Sequence, residues 1–184
     1  MRLTKNLAAG AVALAALVTL TGCGDGGDGG LISGGGNGSS ADAGLPKAST
    51  MAELQKFVVG TGAQCASVGR SNELSMLDES RDPAWSIKER SVCDETIVLL
   101  LIDDMAKFQE AVAKAEAEPM GSVGKLLIGQ NFALNNINRD GRLLMQGGVT
   151  RLSCNQADRD SLPSGFTAKD GLVKPCFTTD YLPD

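Results

Sequence analysis

The sequence predicts an α+β domain: an antiparallel sheet of about four strands with two helices on one face, stapled by disulfides. Three observations predict it. The elements run helix, strand, strand, helix, strand, strand, so a helix-hairpin unit occurs twice. Asp140-Gly141 stands between two strand-like runs, a strong hairpin signal. Four cysteines beyond Cys23, at Cys65, Cys93, Cys154 and Cys176, make an even set suited to two bridges.

The first helix is expected over 50–60. Thr50 and Glu53 have capping-box spacing, Leu54, Phe57 and Val58 share one face, and Gly60 and Gly62 stop it. Residues 69–84 are polar, contain Asp82-Pro83 and read as a loop. Residues 85–102 read as a hairpin with a tight turn at Ser91–Asp94. Its second strand, Ile97-Val98-Leu99-Leu100-Leu101-Ile102, is apolar throughout and therefore central and buried on both faces. A second helix is expected at about 104–118. Asp103 or Asp104 caps it, Met105, Phe108, Val112 and Ala115 recur at helical spacing, and Pro119 and Gly121 end it. Two further strand-like runs, 125–137 and 142–152, flank Asp140-Gly141. Residues 155–184, with three prolines, read as a loop-rich polar tail.

No cysteine pair has CxxC spacing, which speaks against a zinc ribbon or a thioredoxin-type site. Of the three possible connectivities, Cys65–Cys93 and Cys154–Cys176 is favoured. The first bridge would tie the end of the first helix to the first hairpin, and the second would pin the tail to the last strand. The rival crosses the sheet, Cys93–Cys154 with Cys65–Cys176. A bridge closing a loop of this size contributes about 3 kcal/mol in the chain-entropy model.

The first 50 residues read as an address and a tether. Arg2 and Lys5 precede a fourteen-residue apolar run, Leu7–Leu20, which has the length of a signal-peptide core and is too short to span a bilayer. Leu20-Thr21-Gly22-Cys23 follows. This stretch resembles the lipobox of bacterial lipoproteins, and the Ala- and Gly-rich leader and linker are similar in composition to those of small actinobacterial lipoproteins. The resemblance covers about the first 23 residues. It implies that diacylglycerol is placed on the Cys23 sulfur and that a signal peptidase cuts between Gly22 and Cys23. Two acyl chains, at about 0.8 kcal/mol per buried methylene, hold a protein stably on a membrane. The expected organisation is a signal peptide at 1–22, a lipidated Cys23 with a Gly-rich linker over 23–50, and one extracytoplasmic domain over 51–184. Ten glycines in residues 24–50 make a flexible coil spanning about 29 Å. Its Gly/Asp run lacks the apolar residue of a calcium-binding nonapeptide repeat.

Composition narrows the function. Removing Arg2 and Lys5 with the leader leaves 15 basic and 22 acidic residues, net −7, which fits neither a nucleic-acid binder nor an electrostatic membrane patch. Histidine is absent, so no Ser-His-Asp triad and no His-ligated metal site can form. Asp78, Glu79 and Asp82 beside Trp85 superficially suggest a glycosidase, with carboxylates next to an aromatic platform. They sit in a polar loop, where carboxylates are rarely perturbed, so no catalytic residue is assigned. Asp103-Asp104 reads as a helix cap rather than a metal pair, and EF-hand spacing is absent. Glycines at Gly129 and Gly147-Gly148 read as bulges or as points of close ligand approach. The expectation is a lipid-anchored binding or interaction module with no cofactor, no metal and no nucleic acid. Its partners are the membrane, through Cys23, and an unknown protein or small molecule. The alternatives are an envelope hydrolase using the carboxylates near Trp85, and a structural or inhibitory envelope protein presenting aromatics such as Trp85 or Phe132.

Overall fold

The computed structural model of the chain describes residues 44–72, 74–119, 123–135 and 137–183. Its centre is an eight-stranded, wholly antiparallel sheet in the order β1-β2-β3-β5-β4-β6-β8-β7. The strands are β1 (Val68–Gly69), β2 (Ile87–Cys93), β3 (Ile97–Ile102), β4 (Leu126–Ile128), β5 (Phe132–Asn135), β6 (Thr150–Ser153), β7 (Ala168–Asp170) and β8 (Phe177–Thr179). Four helices accompany them: α1 (Met51–Gly60), α2 (Met105–Ala117), α3 (Gly141–Gln146) and α4 (Gln156–Asp160). The expected sheet of about four strands with two helices on one face is therefore corrected in strand number, helix number and layering.

Helices α1 and α2 form where their caps and periodicity place them. Thr50 Oγ1 accepts from the Glu53 N–H, and Glu53 in turn accepts from the Ser49 N–H. Asp104 Oδ1 accepts from the N–H groups of Ala106 and Lys107. Strand β3 is buried along its whole length and alternates between two cores. Ile97, Leu99 and Leu101 cluster with Leu54 and Val58 of α1 and Leu144 of α3. Val98, Leu100 and Ile102 cluster with Met105, Phe108 and Val112 of α2. The sheet is thus covered on both faces, which explains why β3, β4 and β5 carry continuous rather than alternating apolar residues.

Chain topology gives the reason for the two layers. Helix α2 links β3 to β4 across the slot that β5 fills, and α3 links β5 to β6 across the slot that β4 fills. Both steps move the same way along the sheet, but β3 and β5 are antiparallel. Crossovers of this kind share one hand in about 98% of cases. Two such steps from oppositely directed strands keep one hand only if their helices lie on opposite faces.

Two further expectations fail locally. Asp140-Gly141 does not turn a hairpin; it opens α3, with Gly141 buried against Leu182 and Ile137. The hairpin turns instead at 129–131, between β4 and β5. Nor is 155–184 a loop-rich tail: it contributes α4, β7 and β8, and Phe177 of β8 is fully buried. The turn after β2 lies at Asp94-Glu95, two positions beyond the expected one, with φ of 46° and 57°. Both residues are left-handed, as a type I′ hairpin turn requires.

The disulfides join Cys65 to Cys93 and Cys154 to Cys176, the favoured pairing. The first links the segment after α1 to the end of β2. The second links the end of β6 to the start of β8.

Candidate functional site

A cleft of about 650 Å³ lies between the C-terminal end of α3, the start of β6 and the segment that follows β8. Met145 comes from the last turn of α3, Val149 from the α3–β6 connection, Thr150 from the first position of β6, and Leu182 from the terminal segment; these supply a mostly apolar lining. Phe166, from the loop before β7, and Tyr181, just after β8, meet with ring centroids 4.8 Å apart and planes tilted by 58°. Such a tilt suits the aromatic quadrupole.

The loop is held there by backbone chemistry. Asp180 Oδ1 accepts from the Thr167 N–H at 2.7 Å, and the Tyr181 N–H donates to Thr179 Oγ1 at 3.1 Å. Adjacent pairing of β7 with β8, at Ala168↔Thr179, fixes the register that brings Phe166 beside Tyr181. Phe166 nevertheless remains 45% exposed, so its ring is presented rather than buried. The Cys154–Cys176 bridge closes the loop that carries it.

The residues singled out from sequence fall elsewhere. Cys23, with the signal peptide, the lipobox and most of the linker, lies outside the described residues. Cys65, Cys93, Cys154 and Cys176 are consumed in the two bridges. Asp78, Glu79 and Asp82 lie outside this cleft. Asp78 lies 3.5 Å from Arg81 in an exposed ion pair, and Asp82 accepts from the Ala84 N–H as the cap of a short 3₁₀ turn. Trp85 is buried against Phe108, with centroids 5.9 Å apart, and offers no sugar platform. Phe132 is buried as well. Asp104 is a helix cap. Gly129 admits the chain itself rather than a ligand, since a side chain there would strike Phe132 and the Pro46 carbonyl. Gly147 likewise lies against Thr61 and Phe57.

A smaller hollow of about 430 Å³ touches Gln64, Asp94, Arg139 and Asp140. The Asp94 carboxylate is engaged structurally. It accepts from the N–H groups of Ala66 and Ser67 and from the Ser67 hydroxyl, and these bonds hold its pKa below the usual carboxylate range. Glu116 is perturbed the other way: burial raises its pKa, although it accepts from the Cys154 N–H at 2.7 Å. Neither group lies in the larger cleft. Among the described residues no group of three His, Cys, Asp or Glu side chains is placed to hold a metal, and no helix is long and apolar enough to cross a membrane.

Sequence reasoning missed Phe166 and Asp180, and counted Tyr181 only among the available acids and bases. The one signal was a pair of aromatics, Phe166 and Tyr181, in a Ser-, Pro- and Gly-rich stretch where the nearby Phe177 alone among the aromatics is fully buried. Comparison of the chain with protein-family models, with curated proteins and with solved structures finds no match.

Proposed function

We propose that this chain is a lipoprotein anchored through Cys23 on the extracytoplasmic face of a membrane, and that its folded domain is a binding module whose ligand site is the Phe166–Tyr181 cleft. The order of basic start, apolar core and Leu20-Thr21-Gly22-Cys23 supports the anchor. Paired cysteines agree with an oxidising compartment, because cytosolic thiols are kept reduced. One observation carries the binding reading: a half-exposed aromatic ring is held by hydrogen bonds and a disulfide-closed loop at the mouth of a mostly apolar cleft. Its volume falls within the range of about 300–1,000 Å³ typical of small-molecule sites. The hydrolase alternative has little support, since Asp78 and Asp82 are exposed and separately engaged and the tryptophan is buried.

Replacing Cys23 by Ala tests the anchor. The variant is expected in detergent-free soluble fractions, while the wild-type chain partitions with membranes. Membrane retention of C23A, or a native mass showing an unmodified Cys23 with the leader attached, removes the anchor reading. Fragment screening by NMR tests the binding reading. Ligands that perturb Phe166 and Tyr181 support it, and a screen whose hits all map elsewhere overturns it.

A further inference from the structure

We propose that the cleft selects an organic cation, an ammonium group on an apolar body, with the charge held by the ring faces of Phe166 and Tyr181 together with the Asp180 carboxylate. This names the ligand chemistry of the cleft and rests on reading it as the domain's ligand site.

The two rings are tilted at 58° rather than stacked, with centroids 4.8 Å apart, and both line the cleft. Ring faces carry the negative end of the aromatic quadrupole, and a cation lodged against them is attracted without needing a hydrogen bond. The Asp180 carboxylate lines the cleft beside these rings. One of its oxygens is fixed by the Thr167 N–H, next to Phe166 in sequence, and the other has no hydrogen-bond or ion-pair partner among the described residues. Tethering the carboxylate in this way pre-organises it, so little side-chain freedom is lost on binding. Met145, Val149 and Leu182 supply apolar surface for the body of the ligand, and the polarizable Met145 thioether adapts to its shape. Arg142 also lines the cleft, but it has interactions of its own. The acidic balance of the chain, 22 Asp and Glu against 17 Lys and Arg, also favours a cationic ligand.

The test compares three probes of similar size on the folded domain by NMR titration: benzyltrimethylammonium, its neutral carbon isostere neopentylbenzene, and phenylacetate. The ammonium is expected to bind at least tenfold more tightly than the isostere and to perturb Phe166 and Tyr181. F166A removes an exposed ring and leaves the core intact, and should weaken ammonium binding tenfold or more. D180N keeps an acceptor for the Thr167 N–H and removes only the charge. It should weaken the ammonium threefold or more and leave the isostere unchanged. Equal affinity for ammonium and isostere at Phe166 overturns the cation proposal while the cleft reading stands. Preference for phenylacetate likewise overturns it and points to Arg142. Failure of all three probes to perturb the cleft counts against both.

Discussion

Asn131 holds Ala48 as a neighbouring strand would. The Ala48 N–H donates to Asn131 Oδ1 at 3.0 Å, and Asn131 Nδ2 donates to the Ala48 carbonyl at 2.7 Å, across 83 positions of sequence. The adjacent Gln130 N–H donates to the Pro46 carbonyl at 2.8 Å, and its side chain donates to the Leu45 carbonyl. The β4–β5 turn thereby clamps a segment that composition alone assigns to the linker, and Ala48 is buried beneath it.

N131A therefore strands two backbone groups of Ala48. At about 1–3 kcal/mol for a buried polar group left unpaired, a loss of about 2 kcal/mol is expected. Urea unfolding would show it as a lower midpoint at constant slope. A change under about 0.5 kcal/mol would mean that water replaces the amide, and that the clamp is incidental.

Asp94 makes the domain acid-sensitive in a defined direction. Hydrogen bonds from Ala66, Ser67 N–H and Ser67 hydroxyl depress its folded-state pKa. The ionised carboxylate thus contributes stability that is full above the ordinary value of about 3.9 and lost as pH falls through the depressed one. D94N is expected to be less stable than wild type at pH 7, with the gap closing at low pH. Parallel pH–stability curves for the two proteins would refute this.

Glu116 works in the opposite sense. Burial raises its folded-state pKa, with Asp158 adding to the rise and the Cys154 N–H and Arg151 opposing it. The folded state then binds the proton more tightly than the unfolded chain. Stability falls as pH climbs from the ordinary glutamate value, about 4.3, through the raised one. E116Q keeps an acceptor for Cys154 and lacks the charge. It should match or exceed wild-type stability at neutral pH and lack the decline as pH climbs from about 4.3, which chemical denaturation at a series of pH values would measure.

Removing the Cys154–Cys176 bridge by C154A/C176A should cost about 3 kcal/mol in the chain-entropy model. The larger consequence is local, because the freed loop carries Phe166. Chymotrypsin should cleave there faster in the double variant than in wild type, and faster than in C65A/C93A, whose bridge lies elsewhere. Equal cleavage rates in the two double variants would show that the β7–β8 pairing alone holds the loop.

Much of the fold can be read along the chain where the determinants are local. Thr50 and Asp104 cap the helices they precede, and six consecutive apolar residues at 97–102 demand a strand covered on both faces. The sequence favoured the disulfide pairing over a sheet-crossing rival, and the structure decided between them. The misreadings share a cause. Asp140-Gly141 has hairpin chemistry, yet Gly141 is needed where Leu182 leaves no room for a side chain, a contact between residues 41 positions apart. Strands β7 and β8 are three residues each, too short for a periodicity to declare itself, and are strands only because β6 offers an edge to pair with.

The candidate site was the least legible part, because no two of its residues need each other in sequence. The chain by itself determined the caps, the central buried strand and the chemistry that histidine's absence forbids. Only tertiary structure decided that the sheet has eight strands, that its helices lie on both faces, and that Phe166 meets Tyr181. Capping and burial periodicity act over a few residues, whereas sheet order, crossover hand and cleft geometry come from backbone pairing between distant segments, which side-chain patterns do not encode one residue at a time.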